Sequence, residues 1–270
     1  RGPDDKGGTL MKLLRSRVPF TTQRPYRLSR PETSKIIFLS CEGSVTEEEY
    51  FIELIPNIYS EIKSKIQFVS VAEDAARTDP HYRTPEQKKM LSKTRPKQLV
   101  ERIEQFKAEK DNIYQFKEYP EDEFWIITDV DQNWSEQIID AEHGKSYKDE
   151  WNDAIAECKE KGYHYAVSNP FFEMWLLLHH DEPSETDKSL AVSDGHPYEK
   201  TSHFRKRLSE LGVPLKKDKH IKASDYNDEK IKMAVQRAEK LHIDKSDLCP
   251  RYFATTVYLL LKKIFEMKKE

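Results

Sequence analysis

Apolar residues fall in short runs set between longer stretches of mixed pattern. The run 36–41 (IIFLSC) is continuous, as expected of a strand buried on both faces. Thr46-Glu47-Glu48-Glu49 follows with the spacing of a capping box, Thr46 as cap and Glu49 placed to reach back to the cap amide. Phe51, Leu54, Ile55, Ile58, Tyr59 and Ile62 then recur at helical spacing, and Pro56 predicts a kink or a break among them. A second strand is predicted over 66–71 (IQFVSV). A polar stretch with Pro80, Pro85 and Pro96 leads into a helix over about 97–117. The segment 123–131 (EFWIITDVD) reads as a third strand. A helix over 147–161 ends at Gly162, and 163–168 (YHYAVS) is a fourth strand. Asn169-Pro170 has the form of a cap followed by proline at the first helical position, opening an apolar helix over 170–180. His179 and His180 at its end read as ordinary C-terminal cations.

After residue 181 polar linkers join helices near 198–211, 226–241 and 251–268, the last amphipathic through Tyr252, Phe253, Val257, Leu260 and Ile264. Strands alternating with helices predict an α/β layer, a mostly parallel sheet flanked by helices, with a helical C-terminal part. The pattern divides the chain into an arm over 1–34, an α/β core over 35–180 and a helical region over 181–270 packed on that core.

Composition changes this picture little. The 270 residues are 37% apolar and 34% charged, with a net charge of -3, so attraction to nucleic acid must come from local patches. One such patch is the arm, where Arg15, Arg17, Arg24, Arg27 and Arg30 are interleaved with Phe20 and Tyr26. A basic arm of this kind can track a phosphate backbone, or serve as a solubilising tail or a strap over the domain. Cys41, Cys158 and Cys249 are far apart, which suits a reduced cytoplasm better than a disulfide framework or a zinc site. No apolar run has membrane-span length, and the N-terminus carries no signal-peptide pattern.

The acids carry the candidate chemistry. In open α/β sheets, ligands bind beyond the carboxyl ends of the strands. Glu42 sits one residue past the first strand, and Asp129 and Asp131 end the third, where side chains two apart point the same way. Like-charged carboxylates at close range need a cation or a proton between them, and oxygen ligands suit Mg²⁺ or Mn²⁺. Gly43 is expected to let the backbone turn tightly beside Glu42. Glu173, the one acid of an apolar helix, reads either as a complement to the helix dipole or as a further ligand or water-positioning base. Glu47 opens the first helix close to Glu42 and has the same two readings.

Four stretches resemble the RloB family, a Toprim-like group: "IIFLSCEGSVTEEEYF", "FWIITDVDQ", "YHYAVSNPFFEMWLLLH" and "CPRYFATTVYLLLKKI", spanning about residues 34–265. The resemblance implies a Toprim fold, shared with topoisomerases, primases and OLD-type nucleases. It implies that Glu42 and the pair Asp129 and Asp131 bind divalent metal for phosphodiester chemistry, with Glu47 and Glu173 as further acids of the pattern. It also implies a place in prokaryotic anti-phage defence of the abortive-infection kind, beside an ATPase partner resembling RloA.

The function expected is therefore a metal-dependent nuclease acting on DNA or tRNA. Glu42, Asp129, Asp131 and Glu173 are its candidate catalytic residues, and these four with Glu47 its candidate metal ligands. The alternative is a nucleic-acid-binding or sensing subunit of an ATPase-containing defence complex, without catalysis of its own. Nucleotidyl transfer of the primase kind is a weaker reading, since no P-loop is visible. Strand passage is not expected, because Tyr50 and Tyr59 lie on a helix face suited to packing. No lysine is marked as a transition-state partner; Lys222, within a charged run, is a guess. Homo-oligomerisation stays open.

Overall fold

The structure, a computed structural model, describes residues 35–72, 82–92, 94–141, 143–193 and 202–269. Five strands form one sheet in the order β2-β1-β3-β4-β5. The strands β1 (Lys35–Cys41), β2 (Ile66–Ser70), β3 (Glu123–Asp129) and β4 (His164–Asn169) are parallel; β5 (Ala254–Thr255) runs antiparallel to β4. This is the α/β fold expected, with a short fifth strand that no periodicity announced.

Both faces of the parallel strands are covered, which is why the strands read as unbroken apolar runs. Ile37, Leu39, Trp125, Ile127 and Ala166 face one layer of helices. That layer holds α1 (Thr46–Glu48), continued by a π-helical turn (Glu49–Leu54) and α2 (Ile55–Ile58). It also takes in residues of α6 (Phe172–Leu178), α8 (His203–Glu210), α9 (Asp228–Leu241) and α10 (Val257–Lys269). Ile36, Phe38, Phe124, Ile126, Tyr165 and Val167 face the opposite layer, of α4 (Pro96–Tyr114) and α5 (Tyr147–Lys161). The remaining helices, α3 (Pro85–Ser92) and α7 (Glu185–Lys188), are short. Tyr50 and Tyr59 are buried in the first layer, as packing predicts.

The order of the strands places a switch at the centre of the sheet. The chain leaves β1 for β2 on one side and then returns to β3 on the other. At such a point the loops after the two strands diverge to opposite faces and leave a crevice between them.

Three local readings are corrected. The Thr46–Glu49 capping box does not form: the N-cap is Val45, with no side-chain cap. Both side chains are drawn instead to a distant loop. Pro56 causes no simple break; it lacks an amide donor, and the helix widens into the π turn directly before it. Asn169 does not cap a helix. It ends β4, its bond to Pro170 is cis, and the helix starts two residues later at Phe172. Its side chain is fully buried and holds three segments together. The amide nitrogen donates to the carbonyls of Val192 (2.8 Å) and Pro250 (2.9 Å), and its oxygen accepts from Val192 N (2.8 Å).

His179 and His180 are not surface cations either. Burial pushes them down to about 3 and about 4, and His179 Nε2 lies 2.9 Å from the Tyr50 hydroxyl. Among the described residues, no helix is long and apolar enough to cross a membrane.

Asn169→Ala is expected to destabilise the fold by about 3 kcal/mol, because it orphans one buried amide and two carbonyls. Urea unfolding followed by circular dichroism measures this.

Candidate active site

The switch between β1 and β3 is where the acids gather. The strands pair so that Cys41 lies opposite Ile127, which brings Glu42 level with Thr128. The Glu42 amide continues the ladder, donating to Ile127 O at 2.8 Å. The Glu42 carboxylate folds back on the same strand and accepts from Thr128 Oγ1 (2.7 Å) and from Asp129 N (2.9 Å). Arg102, buried beneath, donates to Cys41 O at 3.0 Å and fixes the strand end from below.

Asp131 reaches the same place by a different route from the one expected. It is not on the strand: β3 stops at Asp129, and a 3₁₀ turn runs Asp131–Trp134. Asp131 has φ +21°, a value few residues with a side chain adopt. Its Oδ1 accepts from Asn133 N at 3.1 Å, and Asn133 Nδ2 donates to Asp129 O at 3.0 Å. A turn, not strand periodicity, thus brings the two aspartates to one cleft.

That cleft is about 560 Å³ and is lined by Glu42, Glu47, Asp129, Asp131 and Glu173, together with Gly43, Arg205 and Lys219. Gly43 lies in the bend that follows β1 and has a further role. A β-carbon there would lie 2.0 Å from Glu47 Oε2, so glycine is needed for the carboxylate to fold against the backbone. Arg205 Nε donates to Glu173 Oε1 at 2.9 Å. The five arginines proposed for the arm, Arg15, Arg17, Arg24, Arg27 and Arg30, lie outside the described residues.

The electrostatics follow from crowding acids in a recess. Removal from water, reinforced by Asp131, pushes Glu42 up to about 8 against the pull of its two hydrogen bonds. Burial pushes Glu47 up to about 7, with Glu173 adding to the rise and Lys219 opposing it. Burial also pushes Asp131 up to about 6. Asp129 is raised well above the usual carboxylate range, by burial first and then by Glu42, Glu47 and Glu173. Such a set is charge-frustrated at neutral pH. The donors are all carboxylate oxygens, with no thiolate or imidazole, which fits a hard divalent cation such as Mg²⁺ or Mn²⁺.

A second group was not singled out in the sequence. Asp140, His143 and Glu150 place their ligand atoms within 4.8 Å of one another, and the trio could hold a metal ion. No three of the cleft acids are that close among the described residues. Arg95 already leans on the trio, 3.0 Å from Asp140 and 2.7 Å from Glu150, and so joins the start of α4 to the start of α5. Arg102, Arg205 and Lys219 also went unremarked in sequence. Each sits among other charged residues with nothing local to mark it.

The fold and the cleft define an α/β protein with a crowded carboxylate site at the switch point of a parallel sheet. The chain matches the RloB-like protein family over residues 37–264 and belongs to it. No curated protein and no solved structure matches it.

Two outcomes are expected. Gly43→Ala is expected to keep the fold, displace the Glu47 carboxylate and weaken Mn²⁺ binding at least about tenfold, measured by titration calorimetry. The second concerns pH. The folded chain holds protons on Glu42, Glu47 and Asp131 that the unfolded chain releases near pH 4.5 for the glutamates and 3.8 for the aspartate, so ionisation works against the fold. Without metal, the stability these groups contribute falls as pH rises from 3.8 to about 8 and is level above that. Mn²⁺ should therefore raise the melting temperature more at pH 8 than at pH 6, as thermal scans at both values will show.

Proposed function

We propose that this chain is a divalent-metal-dependent nuclease that hydrolyses phosphodiester bonds of DNA or tRNA. The observation that carries this reading is the cleft itself: carboxylates at a switch point, Glu42 and Asp129 raised by burial first and by neighbouring acids second, with Arg205 and Lys219 lining the same cleft. Acids alone would repel a polyanionic substrate. Acids to hold a cation, flanked by cations to receive a phosphate, suit phosphodiester chemistry.

In this reading Glu42, Asp129 and Asp131 would draw together to hold the ion, since no three cleft acids among the described residues have ligand atoms within 4.8 Å of one another, and Glu47 and Glu173 complete the acidic lining. A bound divalent ion supplies a Lewis acid for the phosphoryl oxygens and a more acidic water as nucleophile. The chain's own contribution is orientation. Thr128 and the Asp129 amide fix one oxygen of Glu42, Asn133 fixes Asp131, and Arg205 fixes Glu173. We extend the reading to a setting in anti-phage defence with an RloA-like ATPase as partner, which the resemblance to the RloB family implies.

The test is cleavage of total tRNA, single-stranded DNA and duplex DNA by the purified chain, with Mg²⁺, Mn²⁺ or EDTA. Glu42→Ala and Asp129→Ala are expected to lower the rate at least about a hundredfold while circular dichroism stays unchanged. Cutting that persists in EDTA, or in both variants, would sink the assignment.

A further inference from the structure

Thr46 and Glu49 fit a capping box in sequence, yet neither caps the helix. Thr46 Oγ1 donates to Lys219 O at 2.9 Å. Glu49 Oε2 accepts from Ile221 N at 2.8 Å, and its Oε1 is hydrogen-bonded to His220 Nδ1. The two side chains therefore grip a loop some 170 residues away in sequence, at the Lys219 carbonyl and at the two residues that follow it. A residue pair that forgoes its local partner for a distant one marks a place where another requirement has prevailed.

Lys219 is also the loop's backbone outlier. Its φ is +70°, the left-handed region that residues with a side chain enter at a cost and hold only where the surroundings fix them. The consequence is directional. Lys216 and Lys217 line a separate cleft with Glu53 and Asn57, and Lys222 lies 3.6 Å from Asp225. Lys219 alone of this lysine run lines the acid cleft, where its charge opposes the rise of Glu47. Among the described residues no carboxylate lies within 4 Å of its ammonium, so the charge is not consumed by an ion pair.

We propose that Lys219 contacts the substrate phosphate in the acid cleft, and that Glu49 and Thr46 are positioning residues that hold it there. This rests on the nuclease reading. A clamp that merely packed the loop would have no reason to impose a left-handed lysine, since glycine would serve at that position without strain.

The experiment compares the full chain with Lys219→Gly, Glu49→Ala and the double variant. The readouts are melting temperature, Mn²⁺ affinity, binding of a labelled single-stranded oligonucleotide with Ca²⁺, and cleavage with Mn²⁺. Lys219→Gly should melt no lower than the parent, because glycine relieves the strained φ, and should lose at least about thirtyfold in cleavage. Glu49→Ala should lose at least about tenfold in cleavage and weaken oligonucleotide binding, with Mn²⁺ affinity within about twofold of the parent. The double variant should be no worse than Lys219→Gly, the signature of two residues acting through one contact. Glu49→Gln keeps an acceptor for the Ile221 amide and should recover most of what Glu49→Ala loses.

Full cleavage by Lys219→Gly would overturn the proposal, as would losses that multiply in the double variant. A parent chain that binds no Mn²⁺ and cuts nothing would instead overturn the nuclease reading, and the role of Lys219 with it. The first outcomes require an active parent, so the two failures cannot be confused.

Discussion

The bond from the β3 backbone to the Glu42 carboxylate is the constraint on which the cleft depends. A carboxylate one residue beyond a buried strand would ordinarily turn to water. Here the amide of Asp129 and the hydroxyl of Thr128 hold it against the neighbouring strand, at the point where the chain's direction of travel across the sheet reverses. Those two bonds favour the charged form, while desolvation and Asp131 favour the neutral one. The acid is thereby kept in place even though its charge is disfavoured. Its neighbours share the problem: Asp129 is raised chiefly by burial and then by Glu42, and Glu47 by burial and then by Glu173.

Much of the architecture was legible along the chain because the parallel strands are buried on both faces. Such strands leave continuous apolar runs, and β1 to β4 fall within a residue or two of where those runs lie. The errors have a common cause. The Thr46–Glu49 box, the strand placement of Asp131 and the Asn169-Pro170 cap all rest on short-range rules, and in each case a long-range hydrogen bond prevails. Thr46 goes to Lys219, Asp131 N faces Pro170 O at 3.4 Å, and Asn169 binds Val192 and Pro250. β5 could not be read at all, since two residues carry no periodicity.

The site was legible in part for the same reason. Acids at strand ends announce themselves, because the strand before them is so plain. The cations do not. Arg205 sits on a short helix among Lys206 and Arg207, and Lys219 sits in a run of lysines. What distinguishes them is the direction in which the fold turns them. Phe204 and Leu208 on the Arg205 helix and Ile221 beside Lys219 share one apolar core with Leu39, Trp175 and Leu261, so the segments bearing the acids and those bearing the cations are fixed by the same packing.

The fifth strand has a consequence for how the molecule is made. Thr255 and Ala254 cover the edge of β4, and Val257, Tyr258, Leu260 and Leu261 fill the layer beneath the sheet. Synthesis proceeds from the N-terminus, so the acids of β1 and β3 emerge long before the segment that seals the sheet beside them. Until residue 255 leaves the ribosome, β4 presents an unpaired edge, which invites pairing with other nascent chains. A late-arriving seal of this kind puts the completion of the sheet, and with it a finished cleft, after all four parallel strands have been made.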